Sequence, residues 1–212
     1  MKGHRGGKAV FADPESFWRL QGLACLAGVD EAGRGPLAGP VVAAAVIFPE
    51  AAALPGLKDS KLLTAQVREE LAQEIEARAQ SWAVAAASER EIERVGILAA
   101  TLRAMVRAVK ALAVLPDMVL VDGNQPLPLA YPQQPVVGGD NRCPSIAAAS
   151  ILAKVHRDRR MAAYHQQYPQ YNFLRHKGYA TPEHLEALRA WGPCAIHRRT
   201  FRGVREWLEE GG

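Results

Sequence analysis

The sequence predicts one α/β domain followed by a helical C-terminal part. Three observations predict it: short apolar runs that end in turn signals, helical periodicity in the segments between them, and the lack of any repeat or long linker. The 212 residues are 49% hydrophobic and 23% charged, ordinary proportions for a globular chain, and they suffice for one sizeable core. The formal charge is +4 and the isoelectric point about 9.1. That leans toward a polyanionic partner, and equally toward plain solubility. Cys25, Cys143 and Cys194 form no CxxC pair, so no disulfide framework or zinc site is expected and a reducing cytoplasm is. The opening MKGHRGGKAVFADPESF has positive charge without an apolar run behind it, unlike a secretory signal. No stretch approaches the roughly 20 apolar residues of a membrane span.

Residues 1–22 read as a flexible lead-in that settles at PESFWRL. Leu23 to Asp30 is a strand, turned by glycines into a second strand, Val41 to Phe48, that returns beside it. Pro49 to Ser60 is a loop. Thr64 caps a helix over TAQVREELAQEIEARAQ, in which Val67, Leu71 and Ile75 stand four apart. Ser81 to Ser88 is a further strand. From Glu91 to Leu112 the positions Leu98, Leu102, Met105, Val106, Val109 and Leu112 recur at helical spacing, and Pro116 stops the run. MVLVD (Met118 to Asp122) is a short buried strand, and a proline-rich loop leads to VVGGD (Val136 to Asp140). Ser145 to Tyr168 is a long helix whose alanine-rich first half lies deep in the core. Its cations Lys154, Arg157, Arg159 and Arg160 read as a solvated face. Thr181 caps a short helix that begins at Pro182. The domain therefore runs from 23 to 212, its helical part from about 170.

The chemistry lies in a repeated device: three apolar runs end in a carboxylate, giving Asp30 with Glu31, then Asp122, then Asp140. Two adjacent charges after a buried strand cost several kcal/mol unless neutralised. Strand ends of an α/β sheet gather at one edge, where ligands bind. Hard divalent ions with oxygen ligands, such as Mg²⁺ or Mn²⁺, would neutralise such a row. A pair of them is the clamp of phosphodiester hydrolysis. Each acid alone reads better as a cap or turn former; repetition of the pattern, and a glutamate that suits neither role, leave both readings open. Gly33-Arg34-Gly35 is too short for a phosphate fingerprint, although it allows close backbone approach. Tyr179 stands among Arg175, His176 and Lys177, a pattern suited to stacking beside phosphates. His165 and His184 have no partner at ligand spacing. HRRTFRG (His197 to Gly203) reads as a basic surface with slightly better odds of binding than the long helix.

Assembled, these residues closely resemble bacterial ribonuclease HII, the type 2 ribonuclease H family. The likeness rests on GVDEAGRGPLAGPVV, KDSK (Lys58 to Lys61), VDGN, GDNR through SIAAASILAKVHRDRRM, HKGY, TPEH and HRRTF, over roughly residues 25–203. The sister family, ribonuclease HIII, differs around Gly-Arg-Gly and carries an extra N-terminal domain for which the leading residues leave no room. The resemblance implies a ribonuclease H-like fold, a mixed central sheet flanked by helices with a helical C-terminal extension. It implies cleavage of the RNA strand of RNA–DNA hybrids and incision 5′ of single ribonucleotides in DNA, leaving 5′-phosphate and 3′-hydroxyl ends. Asp30, Glu31, Asp122 and Asp140 are then the ligands of two Mg²⁺ or Mn²⁺ ions, with Asp30 bridging both. The backbone of Gly33, Arg34 and Gly35 reads the ribose 2′-hydroxyl, Tyr179 stacks on the deoxyribose just downstream, and Lys61 and Lys177 contact substrate. Leu62 and Gly138 replace lysines common in the family. The tail EWLEEGG lacks the glutamine and paired aromatics of sliding-clamp binders, so that partner is not expected, and a monomer is. A non-catalytic nucleic-acid-binding module would lack one or more of the four acids. A DNA-only nuclease would have no use for Gly-Arg-Gly with Tyr179.

Overall fold

Seven apolar residues in a row, VVAAAVI, call for burial on both faces, and they form the strand β2 (Val41–Ile47), in which every residue is buried. The structure, a computed structural model, describes residues 14–49, 57 and 63–209. β2 pairs antiparallel with β1 (Leu26–Ala32) on one side and β3 (Ser81–Ala87) on the other. β1 pairs in parallel with β4 (Met118–Asp122), and β4 with β5 (Gln133–Val136). The five-stranded mixed sheet has the order β3-β2-β1-β4-β5.

Alternation along the strands assigns the two faces. Ala27, Val29, Val41, Ala43, Ala45, Ile47, Val119 and Val121 build one core with Ala100, Ala104, Met105 and Ala108. Ala44 and Val46 pack the other way, against Leu71, Ile75 and the alanines from 147 to 153. On the first face the helical pattern of 91–112 is two helices, α3 (Glu89–Val95) and α4 (Ile97–Lys110). They part at Gly96, whose φ of +80° an α-helix cannot contain. On the second face lie α2 (Ala65–Arg78), where the Thr64 hydroxyl accepts the Val67 N–H, and α5 (Pro144–Gln167).

α5 approaches β1 so closely that Gly28 faces its first turn without a side chain. A Cβ there would stand 2.1 Å from the Ser145 carbonyl carbon. The start of α5 is closed by α1 (Pro14–Leu20): buried Glu15 accepts both the backbone N–H and the hydroxyl of Ser145, at 3.0 and 2.8 Å. A carboxylate suits that end of a helix dipole. From Pro14 onward the expected lead-in is therefore a packed helix, and residues 1–13 lie outside the described residues.

The C-terminal part contributes α6 (Phe173–His176), α7 (Pro182–Trp191) and α8 (Val204–Glu209). It is stitched to the β1–β2 connection by backbone bonds: Leu37 N–H to Gly178 O, Gly39 N–H to Ile196 O, and Arg198 N–H to Leu37 O, at 2.8 to 2.9 Å. Among the described residues no helix is long and apolar enough to cross a membrane. No disulfide joins the three cysteines.

Replacing Gly28 with alanine forces β1 and α5 apart. Chemical denaturation of Gly28→Ala should show a loss of about 3 kcal/mol or more; a loss within the ±0.5 kcal/mol of an ordinary surface change would mean the helix is not held against the strand.

Candidate active site

Asp30 and Glu31 lie inside β1, just before its last residue, Ala32, and pair across to Ala44 and Ala43. As neighbours in a strand they point to opposite faces. Asp30 looks toward α5, where the Ser150 hydroxyl donates to it; its Oδ1 also accepts the Glu31 N–H at 2.7 Å. Glu31 meets Arg34, Oε1 to Nη1 3.4 Å. Asp122 is the last residue of β4, and its Oδ1 accepts the Gly139 N–H at 2.8 Å. Asp140 departs from the expectation of a strand end. The chain leaves β5 at Val136, turns through Gly138 at φ +64°, and places buried Asp140 in the 3₁₀ turn Gly139–Asn141 ahead of α5. The Asp122–Gly139 bond brings that turn beside β4.

Burial pushes the Asp30 carboxyl well above its ordinary range, and the charges of Glu31 and Asp122 push it further. Burial raises Glu31 as well; Arg34 opposes the rise and Asp122 adds to it. Asp30 and Glu31 are thus both held where added positive charge would favour their ionised forms. Among the described residues no three His, Cys, Asp or Glu side chains stand closely enough to hold an ion as they are. The fit to a hard divalent cation lies in the all-oxygen donors and in the raised Asp30 and Glu31 carboxyls.

Two guanidinium groups organise the neighbouring loop. Arg198, fully buried, donates from Nη2 to Gly33 O at 2.6 Å, from Nη1 to Arg34 O at 2.8 Å, and from Nε to Gly39 O at 2.9 Å. Arg157, also fully buried, donates from Nε to Pro40 O and from Nη2 to Ala38 O and Lys177 O, at 2.9 to 3.2 Å. With their carbonyls drawn inward, Gly33 is buried while Arg34 and Gly35 lie at the surface. Gly33 holds φ +95°, and a Cβ on it would stand 2.0 Å from Arg157 Nε. Arg157 also sits 5.8 Å from the centroid of Tyr179, a ring 45% exposed and next to Gly35. The reading of Arg157 as part of a solvated face is therefore corrected, and so is that of His197 and Arg198 as basic surface. A signal was available, since Arg157 falls on the helical stripe of Ile146, Ala153 and Met161, all buried.

Behind Tyr179 two neutral histidines form a relay, with a third, His176, stacked on one of them at a centroid distance of 4.4 Å. The Cys194 N–H donates to His197 Nδ1 at 2.9 Å, which leaves the His197 proton on Nε2, 3.0 Å from His184 Nε2. His184 Nδ1–H then donates to Tyr179 O at 2.9 Å. His176 accepts the Gly178 N–H on Nδ1 and donates from Nε2 to Tyr171 O. Burial drives His184 down to about 4 and His197 to about 3. His184, which spacing left without a partner, is thus occupied in positioning Tyr179.

The acids open into two clefts that meet at Glu31. One, of about 330 Å³, is lined by Gly33, Arg68, Ser150, Lys154 and Tyr179. The other, of about 180 Å³, runs past Arg34, Asp122 and Asn124 along Leu98, Leu102 and Met105 of α4. Lys177 lines a third cleft that continues outward from Arg68. Lys61 and Leu62 lie outside the described residues.

The ribonuclease H2 of Pyrococcus horikoshii is similar to this chain with a TM-score of 0.75 at 28% identity, over 88% of this chain and 98% of that one. The ribonuclease HII of Archaeoglobus fulgidus, solved in a complex with PCNA, gives 0.70 at 28% identity, over 84% and 95%. The class is accordingly that of a ribonuclease H-type hydrolase. The Ribonuclease HII family model matches residues 27–204. Ribonuclease HII 2 of Methylibium petroleiphilum is 56% identical over 193 residues, 91% of this chain and 88% of its own. Ribonuclease HII of Geotalea uraniireducens is 52% identical over 194 residues, 92% and 90%. The chain belongs to the ribonuclease HII family and is an enzyme.

Because the Asp30 pKa is raised on folding, its favourable contribution is complete only below the ordinary carboxylate range and is lost as pH rises. Asp30→Asn should therefore raise the thermal midpoint at pH 7 in chelator, with the gain shrinking in acid; a lower midpoint at pH 7 would show the row is not repulsive. The histidines act in the opposite sense. Their contribution is present above pH 6.5 and is lost as pH falls toward about 4 and about 3. In ¹H–¹⁵N spectra, the imidazoles of His184 and His197 should remain neutral from pH 7 to about 5 while global stability declines.

Proposed function

We propose that this enzyme cuts the RNA strand of RNA–DNA hybrids and incises duplex DNA 5′ of single embedded ribonucleotides, leaving 5′-phosphate and 3′-hydroxyl ends. The observation that carries the proposal is the juxtaposition of the acidic row with an inward-tied Gly-Arg-Gly loop. Asp30, Glu31, Asp122 and Asp140 hold two divalent ions, Mg²⁺ or Mn²⁺. Bound there, the ions lower the pKa of the attacking water and neutralise the leaving 3′ oxygen.

The rest is work for the chain itself. Arg198 and Arg157 fix the carbonyls of the loop, so the exposed backbone of Arg34 and Gly35 is preorganised to test a 2′-hydroxyl, the group that separates RNA from DNA. Tyr179 offers its exposed face to the sugar downstream, its position set by the His184 bond to its carbonyl. Lys177 and Lys61 meet the backbone beyond it. Glu31 is raised in pKa yet paired with Arg34, so an entering phosphate can draw Arg34 away and free the carboxylate for the ion. We place the enzyme in the cytoplasm as a monomer, in ribonucleotide removal during repair and replication, and expect no sliding-clamp partner through its tail.

A duplex with one ribonucleotide, incubated with Mg²⁺, Mn²⁺ or EDTA, tests the proposal. The expected result is a cut on the 5′ side of that ribonucleotide, lost in EDTA; an intact duplex with both ions rejects the reading. Asp122→Asn should abolish cleavage while leaving hybrid binding intact. Tyr179→Ala should cost about tenfold more on the single ribonucleotide than on a long hybrid, given that stacking is worth about 1–3 kcal/mol per base. Equal losses on both substrates would remove Tyr179 from junction recognition.

A further inference from the structure

On the Tyr179 side of the acids, the cleft of about 330 Å³ and an outer one of about 210 Å³ share Arg68 and form one groove between α2 and α5. Its cations differ in their commitments. Arg159 is paired across the groove with Glu69 and Glu76 of α2. Arg68 donates to the Leu63 carbonyl at 2.5 Å. Lys154 stands one turn beyond Ser150 on the wall that also faces Glu31. Its ammonium turns back along its own helix to Asp158, Nζ to Oδ1 2.6 Å.

We infer that Lys154 binds a backbone phosphate of the cut strand in this groove, and that Asp158 holds its ammonium ready until nucleic acid enters. The inference rests on the function proposed above. Lys154 lines the same cleft as Glu31, Gly33 and Tyr179, the groups assigned to the ribonucleotide and its neighbour. A strand that passes over Tyr179 from the acids must bring its next phosphates along this wall. The Lys154 side chain is only 32% exposed; burial has removed much of its water and lowers its pKa. A desolvated ammonium loses little more on meeting a phosphate, and the charge-assisted bond to Asp158 is exchanged for another of the same kind. Asp158 lines the outer cleft, where water solvates it once released.

The pair also has a negative role. Among the described residues the anion that lines the cleft with Lys154 is Glu31, and an ammonium settled there would occupy a carboxylate meant for the divalent ion. Asp158 keeps Lys154 off the acidic row. A solvated i,i+4 pair would look similar in sequence. It would not, however, line the cleft that holds both Tyr179 and the serine donating to Asp30.

The test is binding of a duplex with one embedded ribonucleotide, followed by fluorescence anisotropy in EDTA between about 50 and 200 mM salt, together with cleavage in Mg²⁺. Lys154→Ala should weaken binding about tenfold, as expected for one charged hydrogen bond. It should also reduce the slope of log affinity against log salt by about one unit, and raise KM more than it lowers kcat. Lys154→Arg should restore the slope, and Asp158→Asn should bind at least as tightly as the parent. Unchanged thermal midpoints show that the variants fold; if Lys154→Ala does not, Lys154→Gln takes its place. Parental affinity and slope in Lys154→Ala, or a loss in Asp158→Asn equal to that of the lysine variant, would overturn the inference. Failure of the parent protein itself to bind or cut the duplex would reject the underlying function instead.

Discussion

The site depends on the burial of two arginines beneath one loop. A guanidinium removed from water is expensive, and it is tolerated here because each of the two is met by three backbone carbonyls. Burial pulls Arg198 down to about 9 and Arg157 down as well, and a guanidinium in a protein keeps its charge. Their carbonyl partners come from the connection after β1 and, through Lys177, from the segment that carries Tyr179. The loop and the aromatic ring therefore share one rigid floor. One Arg157 nitrogen, Nη1, remains without a hydrogen-bond partner, and it belongs to the guanidinium that lies 5.8 Å from the Tyr179 ring centroid.

Against that floor the acidic row is under tension. Asp30 is placed in a strand that the rest of the sheet makes apolar, beside two further carboxylates, and it is held there by Ser150 and the Glu31 N–H. Strong packing elsewhere supports this. β2 is buried throughout, and α5 lies flush on Gly28 with its first turn closed by Glu15. A fold with less core would relieve the repulsion by moving a strand end. On the function proposed above, the cheaper response here is to take up cations.

Much of the fold was legible because it is local. Thr64 and Thr181 cap their helices as their side chains suggest, and MVLVD is a strand that ends on its aspartate. The break at Gly96 was hidden because apolar periodicity continues through it; only the backbone angle separates α3 from α4. Asp140 was found by residue type and misplaced by geometry, since glycines after a β-branched pair can end a strand or turn it. The arginines were the clearest inversion. Arg157 stands in a run of cations and Arg198 in another, and charge density alone suggests solvent for both. What decides their burial is a set of carbonyls far away in the chain, which no local pattern records. The histidines hid for the same reason: His184 and His197 are thirteen residues apart and meet only when the C-terminal part folds.

The long-range bond from Arg198 to Gly33 closes 165 positions of chain, and this has a consequence for the order of events during synthesis. The acids of β1 and β4 leave the ribosome early, and the sheet can assemble around them. The Gly33–Gly35 loop has no floor until residue 198 emerges and reaches back. Long-range closures of this kind come late in folding. A partly made chain would thus hold the acids of β1 and β4 without an ordered Gly-Arg-Gly loop beside them. The two halves of the site are completed in sequence, the loop only once the segment around Arg198 has folded back onto it.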